Sequence, residues 1–183
     1  QNTQADEMGN GVRDGIYLPG GDDQIWIDYF TGEQYRGGQI LNGFDAPLWK
    51  IPLFVKNGAI IPMYAEHNVA VEGVENGVDK TQRIVEFWPE GETDFSAIED
   101  DGASMTNDIE EVEGYGDLDN IDYGDHVTTK YTSKVDGDTA TLTAEKSTGS
   151  YAGYDQNKDT TFVVNVSKKP TDVAAYNGDA ELK

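Results

Sequence analysis

Cysteine is absent from the 183 residues, and basic side chains are scarce, since 13 Lys and Arg stand against 35 Asp and Glu. The lack of cysteine excludes disulfide bonds, thiol catalysis and thiolate metal sites, although it leaves the cellular compartment open. The formal net charge of −22 repels phosphate backbones and anionic lipid headgroups. No apolar run approaches the roughly 18 residues of a membrane span. Nucleic acid and direct membrane insertion are therefore not expected.

Catalytic signatures are also missing. The two histidines, His67 and His126, stand apart from any motif, and no nucleophile elbow, P-loop or dinucleotide fingerprint occurs. Carboxylates are so numerous that the sequence cannot select the pair that a glycosidase needs. The serine-hydrolase, NTPase and dehydrogenase classes are excluded, and we assign no catalytic residue.

Strand-forming and turn-forming residues are what the sequence does have, with ten Tyr, three Trp, fifteen Thr and 21 Gly. Tyr, Trp and Thr suit half-buried strands, and frequent glycine indicates many turns. Residues 126–135 alternate regularly between two faces, and Asp136-Gly137 fits a two-residue turn into a return strand at 139–146. No segment has an amphipathic helical pattern. We predict an all-β fold of about ten or eleven strands, arranged as two tandem antiparallel β-sandwich domains.

The composition becomes polar and glycine-spaced between residues 65 and 82. On this basis we predict a first, proximal β domain at 1–70, a linker at 71–82 and a second, distal β-sandwich domain at 83–183.

The predicted proximal domain is rich in apolar residues. Two dense runs of them, 49–55 and 59–63, are separated by Asn57-Gly58, which is a strong hairpin turn signal. The domain has more large apolar side chains than so small a unit can bury, so we expect some to form an exposed patch. The main ones are Trp26, Trp49, Ile51, Leu53, Phe54, Ile60 and Ile61.

The predicted distal domain carries a long acidic loop at 102–125. The wider segment 90–125 contains fourteen acids and no Lys or Arg, which indicates a run that is disordered when isolated, or a loop that is tied to something positive. Calcium prefers several oxygen ligands, and three acidic clusters could supply them. These low-specificity calcium candidates are Glu99, Asp100 and Asp101, then Asp117 and Asp119, and finally Asp155, Asn157 and Asp159. The competing interpretation is a solvated acidic surface, with no cofactor at all.

Several segments of the proximal domain together resemble the region that follows the catalytic barrel in glycoside hydrolase family 31. They are 15–19 (GIYLP), 26–33 (WIDYFTGE), 37–38 (GG), 46–48 (APL) and 51–62 (IPLFVKNGAIIP). Further on, 87–91 (FWPEG) and 99–102 (EDDG) resemble the start of the family's distal C-terminal domain, and 151–154 (YAGY) resembles a later part of it more loosely. This family includes α-glucosidases, α-xylosidases and related transglycosylases.

The resemblance implies a proximal and a distal C-terminal β-sandwich whose catalytic aspartates lie in a barrel upstream. No family catalytic motif is present, so the fragment is expected to be non-catalytic and to support the barrel of its own parent chain. The alternative is an adhesion module that binds host glycans or matrix proteins such as fibronectin, and a third is a calcium-stabilised spacer. We expect an extracellular or cell-surface bacterial protein whose leader lies outside this sequence.

Overall fold

The computed structural model describes residues 5–65, 80–102 and 124–182. Within these residues the chain forms sixteen strands and no helix, which confirms the all-β prediction. No described segment is a helix long and apolar enough to cross a lipid bilayer. The strands are β1 (Asn10–Arg13), β2 (Ile16–Leu18), β3 (Ile25–Asp28), β4 (Gln34–Arg36), β5 (Gln39–Leu41), β6 (Phe44–Pro47), β7 (Phe54–Lys56), β8 (Ile60–Tyr64), β9 (Gln82–Phe87), β10 (Glu92–Glu99), β11 (Val127–Asp136), β12 (Thr139–Ala144), β13 (Thr148–Gly149), β14 (Asp159–Val164), β15 (Ala175–Asn177) and β16 (Ala180–Leu182).

The first seven strands form three small antiparallel units. Strand β3 is the centre of a sheet with β4 and β7, while β1 pairs with β6 and β2 pairs with β5. Ile27 of β3 and Val55 of β7 are directly opposite each other and are both buried. This pair forms the base of one of the two apolar cores.

The turn at Asn57 and Gly58 exists, but the predicted hairpin around it is wrong. The amide of Ala59 donates to the carbonyl of Lys56 across the turn, at 3.0 Å. Strand β7, however, pairs with β3, whereas β8 pairs antiparallel with β9. The turn therefore connects two different sheets, because the partner of β8 is β9, about twenty residues further along the chain.

Strand β9 is the middle strand of a three-stranded sheet with β8 and β14. Its pairing with β14 is parallel, which the antiparallel prediction did not include. Val85 and Phe87 of β9 pack with Ile60 and Tyr131 in one core. Trp88, one residue past the end of β9, packs with Ile27 and Val55 in the other core, since successive side chains of an extended chain face opposite sides.

Strands β10, β11, β12 and β13 form a further, four-stranded sheet. In β11 the alternate residues Val127, Thr129, Tyr131 and Ser133 are buried, as the sequence pattern predicts. The turn into β12 is displaced by one residue from the predicted position, because Asp136 pairs with Thr139. Gly137, with a φ of 57°, and the residue after it form the turn.

The predicted division of the chain at 71–82 stays a prediction, because most of that linker and most of the loop 102–125 lie outside the described residues. Several contacts nevertheless join the residues on its two sides. Besides the β8–β9 ladder, the amide of Gly58 donates to Trp88 at 2.9 Å and the amide of Trp88 donates to Ala59 at 3.0 Å. The central sheet thus contacts both the first seven strands and the β10–β13 sheet.

Candidate functional site

An exposed apolar surface lies in the segment between β6 and β7. Trp49 and Ile51 are each 80% exposed, and Leu48 and Leu53 are close to half exposed. We call Leu48, Trp49, Ile51 and Leu53 the 48–53 surface. Monomeric proteins seldom leave large neighbouring apolar side chains in water, so such a surface indicates a contact with another surface.

Backbone contacts place the 48–53 surface beside two other exposed apolar residues. The amide of Leu48 donates to the carbonyl of Gly9 at 3.1 Å, which brings the turn next to Met8. At the other end, the amide of Tyr29 donates to Leu53 at 2.9 Å, which brings it next to Phe30. Met8 is 81% exposed and Phe30 is 47% exposed. The apolar surface therefore extends over three separate parts of the sequence.

Lys50 sits among these residues. Its Nζ lies 4.0 Å from the centre of the Phe30 ring and 5.6 Å from the centre of the Trp49 ring. A cation over the face of an aromatic ring is attracted by the negative charge of that face. The contact also shows that Phe30 and Trp49 belong to one continuous surface.

The large apolar residues that were predicted to exceed what the proximal region can bury differ in their exposure. Trp49, Ile51 and Leu53 are exposed, whereas Ile60 is buried. Trp26, Phe54 and Ile61 are half-buried. Of the seven predicted residues, the exposed ones therefore lie in the segment between β6 and β7, whereas those in strands are half-buried or buried.

Glu99, the first calcium candidate, is held by two basic side chains. Its carboxylate lies 3.3 Å from Lys158 Nζ and 3.8 Å from Arg83 Nη1, and all three side chains are largely buried. Lys158 also donates to the carbonyl of Lys80 at 2.6 Å. Glu99 therefore has protein cations around it in the place where a metal ion was predicted.

The tyrosines around Glu99 respond to this buried charge. Burial, followed by the nearby charge of Glu99, raises the pKa of Tyr64 to about 12. Burial is likewise the largest cause that raises the pKa of Tyr151, with Glu99 next. Burial also raises the pKa of Tyr131, although the positive charge of Arg83 acts in the opposite direction. The surroundings therefore raise the pKa of all three phenols above the ordinary value.

The other described calcium candidates make contacts both within their own loops and with more distant parts of the chain. Asp100 accepts a hydrogen bond from the amide of Gly102 at 2.9 Å, and its carbonyl accepts one from Lys80 Nζ at 3.1 Å. Asp155 accepts from the amide of Asn157 at 2.8 Å. The amide of Asp159 donates to the carbonyl of Thr81 at the start of β14. Asp101 is half-buried.

Asp117 and Asp119 lie outside the described residues, as does His67. Among the residues that are described, no three acidic or histidine side chains are grouped as metal ligands. Calcium binding by this chain stays a prediction.

A polar cleft of about 360 Å³ lies where β13 pairs with β11. Its lining consists of Gly124, Asp125, His126, Thr128, Thr148, Gly149 and Ser150. The Nδ1 of His126 is 2.7 Å from the carbonyl oxygen of Gly124, to which it can donate. Among the described residues of this lining, Asp125 supplies the one carboxylate, whereas hydrolysis of a glycoside requires two carboxyl groups across the bond. The described part of the cleft therefore offers no hydrolytic pair.

Comparison with known proteins finds one family to which part of the chain is similar. Residues 6–61 match the family described as the glycosyl hydrolase family 31 C-terminal domain. Over 103 residues the chain is 35% identical to an isomaltosyltransferase of Sporosarcina globispora, covering 55% of this chain and 9% of that protein. Over 87 residues it is 30% identical to an alpha-xylosidase of Saccharolobus solfataricus, covering 48% of this chain and 11% of that one.

Solved structures agree with the sequence comparison. A family 31 dextranase of Flavobacterium johnsoniae superimposes with a TM-score of 0.59 at 26% identity, over 96% of this chain and 19% of that one. An alpha-xylosidase of Xanthomonas citri gives a TM-score of 0.55 at 26% identity, over 84% of this chain and 14% of the xylosidase. By its all-β fold and these matches, the chain is similar to the C-terminal β-sandwich region of family 31 enzymes. Residues 6–61 carry the match to the glycoside hydrolase family 31 C-terminal domain, and the whole chain spans only about a tenth to a fifth of the length of these relatives.

Two contacts of the site were not predicted from the sequence. The position of Lys50 over Phe30 joins residues twenty positions apart, and the contacts of Lys158 and Arg83 with Glu99 join residues of three different strands or loops. The excess of apolar residues did predict that a patch exists. No pattern of spacing identifies which cation a distant loop brings to a given ring or carboxylate.

Proposed function

We propose that this chain is the non-catalytic C-terminal part of a family 31 glycosidase or transglycosylase, and that the 48–53 surface docks against the catalytic barrel of the same parent protein. The dextranase, xylosidase and transferase relatives are several times longer than this chain, which leaves ample length for such a barrel. The role of the chain is then to support the barrel that acts on α-linked carbohydrates.

The 80% exposure of Trp49 and Ile51 is the observation that carries the proposal. Burying an apolar side chain of this size is worth about 1.5–3 kcal/mol, so leaving two of them in water is a substantial unused stabilisation. The turn that presents them contains no acidic residue, although the chain as a whole has a net charge of −22. An apolar turn on an otherwise acidic chain suits a permanent contact within one protein.

The experiment compares the effect of one pair of substitutions in two contexts. In the isolated 183-residue chain, Trp49→Ala and Ile51→Ala remove exposed side chains, so we expect each to change the free energy of unfolding by less than about 0.5 kcal/mol. In the full-length gene product, we expect each to destabilise the protein by about 1.5–3 kcal/mol, because the removed side chain is buried there. The free energies of unfolding are measured by chemical denaturation, which is monitored by fluorescence in both proteins and also by activity in the full-length protein.

Tyr176→Ala is the matched control, since Tyr176 is also a large exposed side chain, at 62%, but lies in β15. It should leave both proteins unchanged. Equal and small effects of Trp49→Ala and Ile51→Ala in the two contexts would contradict the proposal.

The adhesion alternative stays a prediction. None of the contacts described for the 48–53 surface favours a glycan or a matrix protein over a surface of the same enzyme, and the relatives that match are enzymes by name.

A further inference from the structure

Arg13, at the end of β1, makes an unusual set of contacts with the turn that carries the 48–53 surface. Its Nη1 donates to the carbonyls of Gly11 and Ala46, each at 3.1 Å. Its Nη2 donates to the carbonyls of Pro47 at 3.3 Å and Lys50 at 3.2 Å. One guanidinium thus joins four carbonyls, two of which belong to the turn itself.

The turn has few other supports. Between the end of β6 at Pro47 and the start of β7 at Phe54, the chain is not part of a strand. The amides of Leu48 and Lys50 donate to Gly9 and Pro47, and Pro47 itself has no amide hydrogen to donate. Arg13 therefore adds a second donor to the Pro47 carbonyl at one end of the turn and supplies a donor to the Lys50 carbonyl at the other.

The geometry requires a guanidinium. Its donors are arranged in a rigid planar fork, so one side chain can serve several fixed carbonyls at once, whereas the ammonium of lysine is a single point with rotating donors. Three of the four acceptors belong to the two strands of the β1–β6 ribbon, and the fourth is Lys50 at the end of the turn. Because its acceptors are 33 to 37 residues away as well as two residues away, Arg13 fixes the turn relative to β1.

We propose that Arg13 is a positioning residue that holds Trp49 and Ile51 in their docking conformation before the partner surface is met. The inference rests on the proposed function, because it assigns a role within the same docking surface. A surface that is already ordered loses less conformational entropy on docking than a loose loop does. Trp49 and Ile51 flank Lys50, whose carbonyl Arg13 holds, so the hold acts directly on the segment that presents them.

The competing account is that Arg13 merely stabilises the β1–β6 ribbon. The two accounts differ in which backbone amides exchange faster when Arg13 is replaced. If Arg13 positions the turn, Arg13→Lys in the isolated 183-residue chain should speed hydrogen exchange of the Leu48 and Lys50 amides at least tenfold. The amides of the β1–β6 ladder should change less than threefold, and those of β9 not at all.

Arg13→Ala should give the same pattern, and Arg36→Ala, which removes an exposed arginine of β4, should give none. Exchange that speeds equally along the whole β1–β6 ribbon would overturn the inference, as would unchanged exchange at Leu48 and Lys50. The lysine variant keeps the charge, so a general electrostatic effect cannot imitate the expected result.

A double-mutant comparison in the full-length gene product completes the test. Arg13→Ala should lower stability in the wild-type background and have less than half of that effect in a Trp49→Ala background, since the residue it positions is gone. Full additivity would overturn the inference. If Trp49→Ala has no effect in the full-length protein, the proposed function has failed; if Trp49→Ala does but Arg13→Ala does not, only the inference has failed.

Discussion

Gly149 lies where β13 pairs with β11, opposite Val127. Its φ of 88° falls in the region that side chains rarely adopt, and a Cβ built on it would overlap the carbonyl oxygen of His126. Backbone cannot move aside as the end of a flexible side chain can. The close approach of β13 to β11 therefore requires glycine at this position.

Gly149→Ala should destabilise the isolated chain more than Gly153→Ala does. Gly153 has a similar φ of 86° but no atom within 4 Å of the added Cβ, so it isolates the cost of the backbone conformation, about 1–2 kcal/mol. We expect Gly149→Ala to cost at least about 1 kcal/mol more than that, as measured by urea unfolding. Equal losses for the two variants would show that the close contact is relieved without cost.

Tyr64 makes stability depend on pH in the alkaline range, because burial and then the charge of Glu99 raise its pKa. The folded state raises the pKa of Tyr64 to about 12 from the ordinary value of 10.0. Between these two values the folded chain keeps the proton while the unfolded chain loses it, so the free energy of unfolding falls as pH rises from about 10 to about 12. Its contribution is fully present below pH 10.

Tyr64→Phe should make stability fall less steeply between pH 10 and 12. Tyr17→Phe removes a phenol that is 61% exposed and serves as the control, for which we expect the wild-type slope. Denaturant midpoints measured at half-unit steps of pH give both slopes. The same slope in the Tyr64 variant and the wild type would mean that this phenol titrates alike in the folded and unfolded chains.

Strand β9 is the element on which both cores depend. Val85 and Phe87 face one core, and the adjoining Trp88 faces the other. The sequence predicted β9 as a strand, but it could not predict that β8, from the other side of the linker, is its neighbour. The Asn57-Gly58 turn signal is local, whereas pairing is decided by the burial that β8 gains against a strand more than twenty residues away.

Val85→Ala tests whether the two cores unfold together. Val85 has no exposed surface, and we expect its truncation to cost about 2 kcal/mol. Because the sheet of β9 contacts both cores, the most slowly exchanging amides of β3 and of β11 should lose protection equally. Val173→Ala, at a residue that is 78% exposed, should leave both unchanged. Loss of protection in β11 with β3 unaffected would support two independent units instead.

At the scale of the whole molecule, the sequence correctly predicted the class of fold and the family, because both depend on alternation, turns and motifs that are local in the chain. It did not predict the contacts that define the candidate site. Glu99 was assigned to calcium as one of several closely spaced acids, yet its nearest cations, Lys158 and Arg83, come from distant parts of the sequence. Such contacts arise only when the sheets assemble.

The central claim is that Trp49 is covered by another part of the parent enzyme. Hydroxyl-radical footprinting, read by mass spectrometry, measures side-chain exposure in the 183-residue chain and in the full-length gene product under identical conditions. We predict strong oxidation of Trp49 in the isolated chain, where it is 80% exposed, at least fivefold protection in the full-length protein, and equal oxidation of Tyr176 in both. Equal oxidation of Trp49 in the two proteins would contradict the account.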